Sequence, residues 1–278
     1  MNLIVAKEHF SENVIKFEIE APRIAKARKA GHFVIVRVDK KGERVPLTIA
    51  GSNVEKGTIT LVVQRIGVST WKLCNLNVGD YVEDIVGPLG RATQIEKQEG
   101  TVLCAGGGVG VAPLLPIIKA HHDAGNRVVA VLAGRTKELI ILEDEVRKYA
   151  DDVVIMTDDG SYGTKGLVTT GMESVINREK VSEAVVIGPA IMMKFGALTT
   201  KKYDIPTWVS LNTIMVDGTG MCGACRVSVG GKTRFVCVDG PEFNAHEVDF
   251  DEMLKRMGGF KAEEQEAFAA YKQACGMN

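Results

Sequence analysis

Five compact apolar runs follow one another between Thr101 and Ser210: TVLCAG, RVVAVLAG, DVVIMTD, EAVVIG and PTWVS. They lack the alternation of a strand with one face in water and suit strands buried on both faces. Between them lie stretches of helical length, among them PLLPIIKAHHDAG and KELIILEDEVRKYA. Strands and helices in alternation give parallel strands joined by helical crossovers, so a doubly wound parallel α/β sheet is expected over residues 99–211. Such a sheet binds ligands in the crevice at the carboxyl ends of its strands.

Ahead of Thr101 the rhythm differs. VIKFEIEAP alternates Ile15, Phe17 and Ile19; GHFVIVRVD and GTITLVVQRIG follow, punctuated by glycine, Pro22 and Pro46. Short strands at this spacing predict an antiparallel β-barrel over residues 1–98. The last segment, 212–278, begins where the sheet pattern stops. It is expected to be a small separate module ending in a charged helical tail, DFDEMLKRMGGFKAEEQEAFAAYKQACGMN, broken at Gly258-Gly259.

A formal net charge of -1 supplies no basic field for nucleic acid. MNLIVAKEHF has too short an apolar run for a signal peptide, and AVVIGPAIMM is cut by Gly188 and Pro189, so no membrane span is expected. The expected location is cytoplasmic. In a reducing compartment, clustered cysteines are metal ligands or catalytic groups rather than disulfides. Cys74, Cys104 and Cys275 lie apart and read as buried small residues or an idle tail thiol.

Directly after TVLCA comes GGGVGVAP, and then a helix. Gly106, Gly107, Gly108 and Gly110 let backbone N–H groups approach a phosphate, and Pro113 suits the first helical turn. Val111 stands where the last glycine of G-x-G-x-x-G would be, and a tight turn without a ligand is the alternative. Gly134-Arg135, Asp158-Asp159-Gly160 and Gly188-Pro189 also end strands and are expected to line the crevice. Together they suggest a nicotinamide nucleotide. No arginine cluster after VLAGR awaits a 2′-phosphate, which favours NAD(H) over NADP(H). In the barrel, RVPLTI (Arg44 to Ile49) and VQRIGVST, with Val63, Gln64, Arg65, Gly67, Ser69 and Thr70, could be a strand start and a turn, or could meet a second pyrophosphate.

Asp217, Cys222, Cys225 and Cys237 are spaced D-x4-C-x2-C-x11-C. With cysteine at the first position this is the spacing that holds a [2Fe–2S] cluster in plant-type ferredoxins. Gly218, Gly220 and Gly223 let the loop wrap closely and offer N–H groups to sulfur. Ferric iron accepts a carboxylate oxygen, so Asp217 is a candidate fourth ligand. Two alternatives stand beside it: Asp217 as a turn residue, with water or Cys275 as fourth ligand, and a Cys₃Asp zinc site in a non-catalytic nucleotide sensor.

The order of barrel, sheet and cysteine module resembles the ferredoxin-reductase superfamily. Its flavin motif matches Arg44, Pro46, Leu47 and Thr48, its glycine turn matches Gly106, Gly107, Gly108, Gly110 and Pro113, and its late G-P-x-x-M matches Gly188, Pro189 and Met192. Leu47 replaces a common aromatic, as in the dihydroorotate-dehydrogenase electron-transfer branch, whose flavin is FAD. MVDGTGMCGACRV and CVDGPEFNAHEVDF are similar to the small subunits of NADH-dependent ferredoxin:NADP oxidoreductases and sulfide dehydrogenases. There an aspartate is a cluster ligand, and Asp217 falls on that position; the dihydroorotate branch has cysteine. The resemblance implies Thr48 beside the flavin and Arg44 on its phosphate. It implies electron transfer between NAD(H), FAD and [2Fe–2S]. It also implies a larger flavoprotein and iron–sulfur subunit that bifurcates electrons with ferredoxin, docked on the cluster module and tail.

Overall fold

The computed structural model describes residues 1–276. Its first part is two antiparallel sheets around one apolar core. One has the order β5-β6-β2-β1-β7, built from β1 (Asn2–Ser11), β2 (Val14–Glu20), β5 (Gly51–Asn53), β6 (Thr58–Gln64) and β7 (Tyr81–Val82). The other has the order β4-β3-β8, from β3 (Phe33–Arg37), β4 (Arg44–Thr48) and β8 (Asp84–Leu89). The alternation in β2 is structural: Ile15, Phe17 and Ile19 are fully buried between the sheets, with Val34, Val36 and Leu61. Pro46 sits in β4, an edge strand, where its missing N–H costs no ladder bond. Two short helices, α1 (Pro22–Ala27) and α2 (Val68–Asn75), complete this part.

The second part is the expected sheet, in the order β12-β11-β10-β9-β13-β14-β17. Strands β9 (Thr101–Gly107), β10 (Arg127–Gly134), β11 (Asp152–Thr157), β12 (Thr164–Lys165), β13 (Val181–Ile187) and β14 (Thr207–Ser210) run parallel. All seven residues of β9 are buried, which is why its sequence is apolar or glycine almost throughout. The chain leaves β9 towards β10 on one side and returns to β13 on the other, so the topological switch point lies at the carboxyl end of β9. Helices α3 (Val111–Asp123), α4 (Glu143–Arg147), α5 (Val168–Ile176) and α6 (Ala190–Lys201) cover its faces.

Two expectations are corrected. KELIILEDEVRKYA is not one helix: a 3-10 turn at Lys137–Leu139 is followed by Leu142 at φ +58° and only then by the five-residue α4. The reason is burial, because Ile141 and Leu142 insert into the sheet's core and the backbone bends to deliver them. Nor does the sheet end before the cysteine segment. After β15 (Arg226–Val229), β16 (Lys232–Phe235) and the one-turn α7 (Val236–Asp239), β17 (Glu242–Asn244) adds to β14 as an antiparallel edge. The tail breaks at the expected glycines, between α8 (Phe250–Met257) and α9 (Lys261–Ala274). Phe250 and Met253 are buried, whereas α9 buries nothing fully and rests on α2 through Phe268 against Trp71, ring centroids 5.8 Å apart. Among the described residues, no helix is long and apolar enough to cross a membrane.

Candidate functional site

The glycine turn occupies the switch point. Gly106 and Gly107 end β9, and Gly108–Gly110 forms a 3-10 turn into α3. Close packing requires glycine at Gly110, where a Cβ would lie 2.5 Å from the Ile187 carbonyl oxygen and 2.7 Å from Gly188 Cα. At Gly107 a Cβ would collide with the Met192 thioether. Gly108 differs. It has φ +54°, and a Cβ there would meet nothing within 4 Å, so its backbone faces open space beside the first turn of α3. That is the cradle a phosphate needs: exposed backbone, no side chain, and the N-terminus of a thirteen-residue helix. Pro113 lies in that first turn.

The remaining crevice residues gather at the same edge. Gly134 ends β10, and its carbonyl accepts from Asp158 N at 3.1 Å; the Arg135 carbonyl accepts from Asp159 N at 3.3 Å. Asp159 Oδ1 also accepts from the Ser161 hydroxyl at 2.7 Å and backbone N at 2.9 Å, which fixes the turn at Gly160 and holds its carboxyl below the usual range. Gly188 and Pro189 lead into α6, and Met192 packs over Gly107 and Gly188.

In the barrel, Thr48 closes β4 opposite Phe33, and Leu47 lies against the barrel core. Val63 is fully buried, while Gln64 ends β6. Arg65 lies 5.0 Å from the Trp71 ring centroid and donates to the Glu12 and Cys74 carbonyls, both at 3.4 Å. Gly67 has open space around it and caps α2. Thr70, expected at a phosphate, commits its hydroxyl to that cap. It accepts from Ile66 N and Gly67 N at 3.0 and 3.1 Å and donates to the Gly67 carbonyl at 3.0 Å. Ser69 donates to Glu43 at 2.8 Å. Arg44, expected on a phosphate, reaches the cysteine loop: Nε donates to the Val216 carbonyl at 2.6 Å and Nη2 to the Asp217 carbonyl at 3.5 Å.

The cysteine loop is irregular from Leu211 to Cys225 and presses on the barrel. Gly218, at φ +76°, lies so close that a Cβ would meet Leu89 Cδ1 at 2.7 Å and Ile35 Cγ1 at 3.1 Å. Cys225 and Cys237 are buried and unbridged, with Cys225 Sγ donating to Cys237 Sγ at 3.3 Å and Cys237 N aimed at Cys225 Sγ at 3.5 Å. Burial, then the neighbouring Cys225 thiol, pushes the Cys237 thiol up to about 12. Cys222 is exposed at the loop tip. Asp217 accepts from Thr219 N at 3.0 Å and Cys222 N at 2.9 Å, and backbone bonds from Thr219 and Cys222 hold its carboxyl down to about 2. Among the described residues no three such side chains converge as a finished ligand set. The donor chemistry still fits a cluster: two adjacent buried thiols are costly as thiolates without a cation, and the Cys237 amide already points at the Cys225 sulfur. Cys74 and Cys104 are buried away from this loop in the apolar cores.

Sequence reasoning missed Arg91 and Glu242. Arg91 Nε donates to the Val238 carbonyl at 3.0 Å and its backbone N to the Gly240 carbonyl at 2.7 Å. Glu242 is half-buried, with Oε1 accepting from the Thr93 hydroxyl at 2.6 Å, and desolvation of its carboxyl pushes it up to about 7. Arg91 lies outside the quoted motifs, and Glu242 lies inside CVDGPEFNAHEVDF without a ligand spacing of its own, so tertiary packing reveals both.

Comparison with known proteins accords with this layout. Residues 2–93 match the oxidoreductase FAD-binding domain, and residues 212–249 match the iron–sulfur cluster binding domain of dihydroorotate dehydrogenase B. A solved chain from an NADH-dependent reduced ferredoxin-NADP oxidoreductase, studied for flavin-based electron bifurcation, is 45% identical and superposes with TM-score 0.92 over 98% of both chains. Phthalate dioxygenase reductase shares the fold, at 18% identity and TM-score 0.58 over 82% of this chain and 86% of that one. A Thermotoga maritima protein, the homolog of the dihydroorotate dehydrogenase B electron transfer subunit, is 46% identical over 99% of this chain and 97% of its own. The subunit itself from Desulforamulus reducens is 31% identical over 88% and 96%. The chain therefore belongs to the family of dihydroorotate dehydrogenase B electron transfer subunits and their homologs, flavin- and iron–sulfur-binding oxidoreductase components.

Proposed function

We propose that this chain carries electrons between NAD(H), FAD and a [2Fe–2S] cluster as one subunit of a larger complex. The supporting observation is that the barrel touches both other sites. Phe33 and Ile35 share an apolar core with Cys225 and Cys237, and Ala50 and Val62 share another with Val111 and Leu114 behind the glycine turn. When bound, the cofactors supply the redox chemistry, hydride exchange between nicotinamide and flavin and single-electron exchange with the cluster.

The chain's own residues bind and orient. Residues 1–98 hold FAD, with Thr48 near the ring and Gly67 and Ser69 at the phosphates. Residues 99–211 hold NAD(H), its pyrophosphate on the open backbone of Gly108 at the start of α3 and its remaining parts against Gly134, Arg135, Asp158 and Met192. Residues 212–278 hold the cluster through Asp217, Cys222, Cys225 and Cys237. Asp217 is ionised at neutral pH and so is a ready donor.

The partner is a larger flavoprotein and iron–sulfur subunit that reaches ferredoxin and NADP(H) in a bifurcating complex of the cytoplasm. The 45% identity and TM-score of 0.92 favour this over a dihydroorotate dehydrogenase complex, whose electron transfer subunits from Desulforamulus reducens, Methanocaldococcus jannaschii, Clostridium perfringens and Geobacillus stand at 29–35%. The test is chemical analysis of the purified chain. One FAD, two irons and two sulfides per chain, with flavin bleached by NADH, are expected. A colourless, zinc-containing protein would reject the reading.

A further inference from the structure

Both cysteine-bearing segments are tied to the flavin barrel by an arginine from the sheet β4-β3-β8 or its end. Arg44, the first residue of β4, holds the loop ahead of Cys222 through the Val216 and Asp217 carbonyls. Arg91, just beyond β8, holds the Cys237 turn through the Val238 carbonyl, with Nη2 3.6 Å from Asp239 Oδ1. Between them Gly218 sits on Leu89 and Ile35, and Gly90 packs on Phe33 and Pro241. Two independent clamps therefore act on two segments far apart in sequence, and each grips main-chain carbonyls.

Gripping carbonyls matters chemically. The Arg44 guanidinium fixes the backbone of Asp217, while the carboxylate is held from within the loop, by Thr219 and Cys222. A planar fork with several fixed donors can hold two successive carbonyls at once, which a single ammonium does less well. The positive charge also lies beside a site that would hold an anionic centre, where it favours the reduced state.

We infer that Arg44 and Arg91 are positioning residues that set where the cluster-binding segments lie on the flavin barrel and tune the cluster through them. The inference rests on the proposed [2Fe–2S] site. This task stands beside the flavin-phosphate contact that the Arg44 motif implies.

The experiment uses the full chain as wild type, Arg44→Gln, Arg44→Lys and Arg91→Gln. Iron, sulfide and FAD are counted, the dithionite-reduced EPR spectrum is recorded, and the cluster's midpoint potential is titrated. Arg44→Gln is expected to shift the g-values and lower the potential, with Arg44→Lys restoring the potential more than the g-values. Arg91→Gln is expected to shift the EPR signal while FAD content stays that of wild type. Loss of FAD from Arg44→Gln with wild-type EPR and potential would overturn the inference and return Arg44 to the flavin alone. If Arg44→Gln loses its cluster altogether, Arg91→Gln decides: a shifted signal supports the clamps and an unshifted one rejects them. Wild-type protein without iron and sulfide would instead sink the underlying proposal.

Discussion

Asp217 stands at the first position of the D-x4-C-x2-C-x11-C spacing, in the loop ahead of Cys222. Its carboxylate makes two backbone hydrogen bonds that shape the loop, and these same bonds keep it ionised. Loop shaping and ligation are separable by substitution. Asp217→Cys should keep two irons per chain and change the EPR g-values; unchanged g-values would leave Asp217 as a turn residue only. Glu242 offers a pH test. Its folded-state carboxyl is raised from the ordinary 4.5 to about 7, chiefly by burial, with Glu183 adding to the shift and the Thr93 hydroxyl opposing it. The native state thus binds the extra proton between those values, so stability falls as pH rises through this window, by about 3 kcal/mol at most. Glu242→Gln should flatten the decline in Tm between pH 5 and 8. A variant whose Tm tracks wild type across that range would show that Glu242 titrates normally.

At the scale of elements, the strand–turn–helix β9–α3 separates two uses of glycine that look alike in GGGVGVAP. Gly110 is needed for packing, since Gly110→Ala would drive a Cβ into the Ile187 carbonyl at a cost of about 1–3 kcal/mol. Gly108 is needed for its open, left-handed backbone. Gly108→Ala should cost about 1 kcal/mol for φ +54° and should raise the KM for NADH about tenfold by crowding a charge-assisted amide contact. An unaltered KM in Gly108→Ala would mean the turn is only a turn. The same balance of packing against local preference explains the interrupted helix at 137–150. The sequence has helical composition there, but Ile141 and Leu142 gain more by entering the core than the helix gains by continuing.

Across the molecule, the C-terminal segment divides into a structural and a peripheral half. Helix α8 inserts Phe250 and Met253 into the core that holds Cys225 and Cys237, whereas α9 lies on the surface of α2. Removing residues 259–278 should leave the cluster spectrum intact, lower Tm by only a few degrees and expose Trp71 to solvent. Cutting at Phe250 should abolish iron binding, because each large core side chain lost costs about 2–5 kcal/mol. Loss of the cluster in the shorter truncation would show that α9 supports the module after all. Gel filtration of both truncations with the partner subunit then tests docking apart from folding.

Local sequence was enough to specify the α/β sheet, the β-rich first part, the break at Gly258-Gly259 and the candidate residues for the chemistry. Buried strands must be apolar, phosphate turns must be glycine-rich, and cluster ligands keep a short fixed spacing. Long-range packing, by contrast, dictated that β17 extends the sheet and that Arg44 and Arg91 reach the cysteine segments. Arg44 meets Val216 across 172 positions of sequence, and no propensity or period encodes such a meeting. It exists because the barrel and the cysteine loop share one core, and packing brings the two carbonyls within reach of that guanidinium.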